Sequence, residues 1–116
     1  MGKPILILDF DGVVFDYETF GIDGLDEGEP IPNAKESIDK LKEDYTIYIY
    51  SLRCSSPSGK NVVIEWLNEH DIHFDEVIYR LVPHFLFISP KVKQMTGKWD
   101  DEKVDDIIKS NPIRWG

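Results

Sequence analysis

The stretch Ile5-Leu6-Ile7-Leu8-Asp9-Phe10-Asp11-Gly12 decides the fold of this 116-residue chain. Four consecutive apolar residues, two of them β-branched, predict a strand buried on both faces, as at the centre of a parallel sheet. The run stops at two carboxylates and a glycine. Strand periodicity puts residues 9 and 11 on the same side. In open α/β sheets ligands sit beyond the carboxyl ends of the strands, so Asp9 and Asp11 are expected to face that crevice. Gly12 lets the chain turn sharply away from the strand.

Outward from this stretch, residues 13–30 carry Gly21, Gly24, Gly28 and Pro30 among several acids and aromatics. They predict a long irregular or hairpin-like segment, and such segments in compact domains are usually functional or mobile. Asn33 suits a helix N-cap, and Ala34, Ile38 and Leu41 form one helical stripe after it. Residues 45–50 predict a second strand, ending at Ser51, and residues 52–59 a loop. Ser56 followed by Pro57 predicts a helix start, with Val62, Val63, Trp66 and Leu67 as its apolar face. Residues 77–79 and 85–88 predict two more strands, the latter ending at Ser89-Pro90. Lys93 to Thr96 suggests a short edge strand. A last helix is expected from about Asp100 to Lys109, with Val104, Ile107 and Ile108 inward, and then a tail with Trp115 packed down. Strands alternating with helices imply right-handed crossovers and an α/β fold, a mainly parallel sheet with helices on both faces. The length fits one domain spanning residues 1–116.

The chain has 22 acidic and 13 basic residues, a net charge of −9, which argues against a nonspecific nucleic-acid binder needing a basic surface. A solvated acidic surface explains the charge by itself, although a domain that holds a cation suits it too. Cys54 is the single cysteine, so no internal disulfide can form and a reducing compartment is expected. The apolar run before Asp9 is too short for a signal peptide or a membrane span. The expected location is the cytoplasm, without membrane contact.

Two neighbouring carboxylates cannot both ionise freely unless a cation or a proton intervenes. Mg²⁺ is the natural cation, a hard ion that takes oxygen ligands and keeps several waters. Phosphoryl transfer suits such a pair: one carboxylate attacks phosphorus, and the other handles the proton of the leaving oxygen. The competing reading is that Asp9 and Asp11 merely end a strand, where Asp and Gly are common. The apolar strand in front and a later strand ending in Ser51 favour the site.

Asp9-Phe10-Asp11-Gly12-Val13-Val14 resembles the first motif of the haloacid dehalogenase superfamily, and above all its small, cap-poor, hydrolase-like members. Pro30-Ile31-Pro32-Asn33-Ala34-Lys35-Glu36, Ile49-Tyr50-Ser51-Leu52-Arg53, Ile64-Glu65-Trp66-Leu67 and Thr96-Gly97-Lys98-Trp99-Asp100 resemble segments of those proteins in the same order. The resemblance implies a three-layer Rossmann-like fold with residues 13–30 as a short flap and no large cap. It implies Asp9 as nucleophile and Asp11 as general acid/base. Asp9 and the backbone carbonyl of Asp11 would ligate Mg²⁺. Ser51, with Arg53 and Gly12 beside it, would lie against the phosphoryl group of a phosphorylated substrate.

The family's third motif is a lysine, where this chain has Leu81. Arg80 and Lys91 are the nearby substitutes, although adjacent strand residues point to opposite faces. The fourth motif is a pair of aspartates, replaced here by Ser89 and Pro90. Two expectations follow. One is a Mg²⁺-dependent phosphohydrolase working through an aspartyl-phosphate, with a weakened metal site. The other is a pseudoenzyme that keeps the fold for a binding or interaction role. Arg53 is open to either a substrate phosphate or a surface acid.

Rival readings have less support. A receiver domain needs a phosphorylatable Asp at the end of a later strand, where this chain has Ser51 and Ser89. Cys54 is not followed by the arginine of a thiol phosphatase loop. Gly59-Lys60-Asn61 lacks the glycine and hydroxyl of a P-loop. His70, His73 and His84 have no metal-ligand spacing on one helix.

Overall fold

Residues 2–16, 28–89, 99, 104–105 and 107–108 are described in the structure, a computed structural model. In chain order the elements are β1 Ile5–Asp9, β2 Phe15–Asp16, β3 Glu29–Pro30, α1 Ala34–Leu41, β4 Thr46–Tyr50, α2 Pro57–Glu69, β5 Glu76–Ile78 and β6 Leu86–Ile88. A 3-10 turn, Leu52–Ser55, follows β4 where the sequence predicted a loop. The apolar run at 5–8 does become a central strand. The sheet order is β5-β4-β1-β6, all parallel, and Leu6, Ile7 and Leu8 have no exposed surface. The result is a small α/β domain in which a parallel four-stranded sheet is flanked by two helices.

Register explains how the sheet is covered. Leu6 pairs with Ile47 and Leu86, and Leu8 with Ile49 and Ile88; Ile49 in turn pairs with Val77. Residues in register share a face. Leu6, Leu8, Ile47, Ile49, Val77 and Ile88 form one core with Ile38 and Leu41 of α1 and Val63, Trp66 and Leu67 of α2. Both helices therefore pack against the same face. The chain steps from β1 to β4 to β5 in one direction, and right-handed crossovers then place α1 and α2 on one side. From β5 to β6 the direction reverses through residues 79–85 without a helix. On this second face Ile7 is buried between Tyr48 and Phe87, its register partners, and among the described residues no helix lies there.

Local signals hold in part. Ser56 caps α2, accepting from the Gly59 N–H at 3.1 Å, with Pro57 in the first turn. Asn33 precedes α1 but does not cap it through its side chain. Its φ is 67°, and its Nδ2 donates instead to the Trp99 carbonyl at 3.3 Å. Val62 departs from the expected apolar face, being 40% exposed while Val63, Trp66 and Leu67 are buried.

Residues 104–105 and 107–108 are helical, with Val104 and Ile107 buried. The Tyr45 hydroxyl donates to the Ile107 carbonyl at 2.6 Å. Burial, reinforced by Asp44, pushes this phenol up to about 12, so it keeps its proton. The edge strand at Lys93–Thr96, the rest of the last helix and Trp115 lie outside the described residues. The base of the 13–30 segment is a hairpin stem: β2 and β3 pair antiparallel, Phe15 with Pro30 and Asp16 with Glu29. Among the described residues no helix is long and apolar enough to cross a membrane.

Candidate active site

Asp9 is the last residue of β1, and the ladder continues one step further as the Phe10 N–H donates to the Tyr50 carbonyl at 2.8 Å. The chain then closes a tight loop. The Phe10 carbonyl accepts from both Val14 and Phe15, at 3.1 and 2.8 Å, and the Gly12 N–H donates to the Phe15 carbonyl at 2.9 Å. Gly12 makes this loop with a φ of 86°, a left-handed conformation that costs an ordinary residue about 1–2 kcal/mol. Asp11 is left at the tip of the loop, half-buried.

Other elements hold the loop from outside. Trp99, fully buried, donates its indole N–H to the Val13 carbonyl at 3.0 Å, and the Ile31 N–H donates to the Val14 carbonyl at 2.8 Å. Phe10 and Phe15 stack at 5.2 Å, and both meet the edge of Trp66. Trp66 donates its own N–H to the Gly28 carbonyl at 3.1 Å, so both ends of the 13–30 segment are tied to buried indoles. Gly28 lies flat against the Phe15 ring, where a Cβ would overlap the ring carbons. This supporting layer was not legible as such in the sequence; the hints were Trp66 on the apolar face of its helix and the Trp66 and Trp99 segments that carry the resemblance.

The charged groups meet above this layer. Arg53 donates to Asp11 at 3.2 Å, with both side chains about two-fifths exposed (38% and 40%). Its guanidinium carbon lies 5.9 Å from the Phe15 ring centre. Exposed pairs of this kind contribute at most about 1 kcal/mol, so Arg53 can exchange Asp11 for another anion at little cost. Of the two roles left open for Arg53, it takes the acid in the unliganded protein, and that acid belongs to the candidate site. Asp9 behaves differently. Burial first, and the neighbouring Asp11 second, push its carboxyl up to about 6 against the pull of the Phe10 N–H. Among the described residues, no cation figures in this shift.

Ser51 follows β4 and is buried. Its Oγ accepts the Arg53 N–H at 3.1 Å, capping the 3-10 turn. The hydroxyl proton is a separate donor function. Ser89 is buried one step past Ile88, whose register partner is Leu8, so it follows β6 beside the end of β1. Asp9, Asp11, Gly12, Ser51, Arg53 and Ser89 thus gather at the carboxyl ends of three adjacent strands. The β1/β6 boundary is where the strand order reverses, the usual ligand position in such sheets.

The residues at the third-motif position do not join them in the same way. Leu81 is 50% exposed. The Arg80 guanidinium lies over the Tyr79 ring, 5.3 Å from its centre, at the end of β5. Pro90 and Lys91 lie outside the described residues, as do Asp23, Asp26 and Glu27. Among the described residues no group of three His, Cys, Asp or Glu side chains is assembled to hold a metal. The oxygens that the resemblance would put on offer are the Asp9 carboxylate and the Asp11 carbonyl. That donor set does not fit an all-protein cage. It does fit Mg²⁺ carried in by a phosphate, because this ion is commonly held by one or two carboxylates, substrate phosphates and water.

Compared with protein-family models, with curated proteins and with solved structures, the chain finds no match.

Proposed function

We propose that the chain is a haloacid dehalogenase-like phosphohydrolase of the cap-poor kind, with residues 13–30 as its flap. The observation that carries the reading is the pairing of two unlike carboxylates on one glycine turn. Asp9 is recessed and pushed up to about 6, while Asp11, two residues on, is engaged by Arg53. Both carboxyls stand at the carboxyl end of β1 within reach of one phosphoryl group, with Arg53 beside them to meet its charge.

In this mechanism the ionised Asp9 oxygen attacks phosphorus and the bond from phosphorus to the ester oxygen breaks, leaving an aspartyl-phosphate. A protonated Asp11 gives its proton to the departing oxygen. Water then attacks the aspartyl-phosphate, Asp11 takes back a proton, and Asp9 and inorganic phosphate are released. Arg53 moves from Asp11 to a phosphoryl oxygen, and the Ser51 hydroxyl donates to another while still accepting the Arg53 N–H. The Asp9 carboxylate and the Asp11 carbonyl would hold Mg²⁺, which when bound would offset the repulsion between carboxylate and phosphate dianion. The single cysteine fits a reducing compartment, and we place the protein in the cytoplasm.

Turnover of 4-nitrophenyl phosphate in Mg²⁺, lost when Asp9 is changed, tests this reading. Failure to hydrolyse any member of a panel of small phosphate esters refutes it. The pH profile gives a second check. The nucleophile must be ionised, so with 4-nitrophenyl phosphate, whose leaving group departs without a proton from Asp11, kcat/KM rises with pH through about 6. A limb near pH 4 instead would detach the rate from a buried Asp9.

A pseudoenzyme reading has its own observation: among the described residues no cation shifts Asp9, and Leu81 is half-exposed at the position where the resemblance calls for lysine. The triple change Leu81→Lys, Ser89→Asp and Pro90→Asp discriminates. If only these groups are lacking, activity rises by about 10-fold or more, the scale of one charge-assisted interaction in a transition state. No gain means the site is disabled elsewhere.

A further inference from the structure

A hollow of about 390 Å³ opens between the start of α2 and the end of β5, within the ~300–1,000 Å³ range of small-ligand pockets. Cys54 and Val77 close its buried side, and Lys60, Glu76, Arg80 and Val82 line the rest. Its polar lining is two cations against one acid, in a chain whose net charge is −9. Lys60 reaches Glu76 only at 4.0 Å. Arg80 has no carboxylate partner among the described residues; its guanidinium rests on the Tyr79 ring. A guanidinium beside an aromatic face keeps its donors free for an anion.

The hollow is also aligned with the candidate active site. Asp9 pairs with Tyr50, and Tyr50 pairs with Ile78, which lines the hollow. Two strand spacings of ~4.8 Å separate the ends of that row, so the hollow begins roughly 10 Å from Asp9. The 3-10 turn lies between them, presenting Arg53 to Asp11 and Cys54 to the hollow.

We propose that this hollow is an anion subsite for the leaving group of the substrate: a phosphate monoester with a compact apolar body and a carboxylate or second phosphate at its far end. Arg80 binds that distal anion, Lys60 assists it, and the apolar wall of Val77 and Val82 takes the body. The assignment to a leaving group rests on the phosphohydrolase reading; anion binding at Arg80 does not.

The test uses phenyl phosphate, 4-carboxyphenyl phosphate, its neutral analogue 4-carbamoylphenyl phosphate, and 1,4-phenylene bisphosphate. Binding to the Asp9→Asn protein in Mg²⁺ is measured by calorimetry, and hydrolysis is measured with the unmodified protein. The carboxyl ester or the bisphosphate should bind about 10-fold tighter than the two esters without a distal charge, and the better of the two identifies the distal group. Arg80→Gln should remove that gain and leave phenyl phosphate unaffected, whereas Glu76→Gln, which deletes the acid of the hollow, should enlarge it. If neither the carboxyl ester nor the bisphosphate binds tighter than the carbamoyl ester, with phenyl phosphate still bound or hydrolysed, the subsite is overturned and the phosphohydrolase spared. Arg80-dependent binding without hydrolysis supports the subsite and removes the phosphohydrolase reading. No binding of any ester overturns both.

Discussion

Replacing Asp9 by Asn should lower turnover of aryl phosphates by at least about 10³-fold and, in the same protein, raise the melting temperature at pH 7.5. The first effect follows from the proposed role, since an amide neither attacks phosphorus nor forms an aspartyl-phosphate. The second follows from where the carboxyl sits. The fold holds Asp9 at about 6 against an ordinary 3.8, chiefly through burial and then through Asp11. Below about pH 4 the group is protonated in both folded and unfolded chains and costs nothing. As pH rises toward 6 the unfolded chain releases its proton first, and stability falls; above 6 the full cost is present. Two pH units correspond to about 3 kcal/mol, and partial solvent contact reduces this to about 1–2 kcal/mol. Asn is nearly isosteric and carries no charge, so at pH 7.5 it should recover that amount, a shift of several degrees in Tm for a domain of this size. The gain should vanish below pH 4. Equal melting of the two proteins across this range would mean that Asp9 is not strained by its surroundings.

Such a trade between stability and chemistry also marks what the sequence could and could not disclose. The placement of Asp9 and Asp11 was legible because it depends on local rules: an apolar run with β-branched residues, a period of two, and a glycine to turn on. The start of α2 at Ser56-Pro57 was legible for the same reason. Asn33 does stand at the N-cap position of α1, but its side chain makes no capping bond: its backbone is left-handed and its Nδ2 donates to Trp99, 66 residues away. No local rule anticipates that bond. Arg53 was left open between a phosphate and a surface acid. The structure pairs it with Asp11, 42 residues distant, through the adjacency of β1 and β4. The expectation of helices on both faces came from alternation alone. Among the described residues the single reversal of direction, from β5 to β6, is made by residues 79–85 without a helix. The hollow beside Arg80 needs the sheet order β5-β4-β1 to be known before Tyr79 and Arg80 come near the site at all. That Leu81, Ser89 and Pro90 stand where the resemblance calls for a lysine and aspartates was visible in the sequence; that no cation among the described residues shifts Asp9 emerged only with the fold.

Trp66→Ala should produce the largest loss of stability among single changes outside the charged groups, about 3–5 kcal/mol by the usual cost of emptying a buried tryptophan site. That is a large share of the roughly 5–15 kcal/mol that holds a domain together. Trp66 is 1% exposed and meets Phe10 and Phe15 edge-on at 5.2 and 5.3 Å. Its indole N–H serves the Gly28 carbonyl. Three losses therefore coincide: apolar burial, two aromatic contacts, and the donor for a buried carbonyl. Trp66→Phe separates them. It keeps most of the volume and leaves the Gly28 carbonyl without its partner, which should cost about 1–3 kcal/mol. Urea unfolding of the three proteins gives the comparison. Because Phe10 and Phe15 flank the loop that carries Asp11 and Gly12, the alanine protein should also lose activity at temperatures where it is still folded. The phenylalanine protein should keep most of it. If both variants were fully active while folded, the aromatic layer would serve stability alone, and the loop would be fixed by the bonds from Gly12, Val14 and Phe15 and by Trp99.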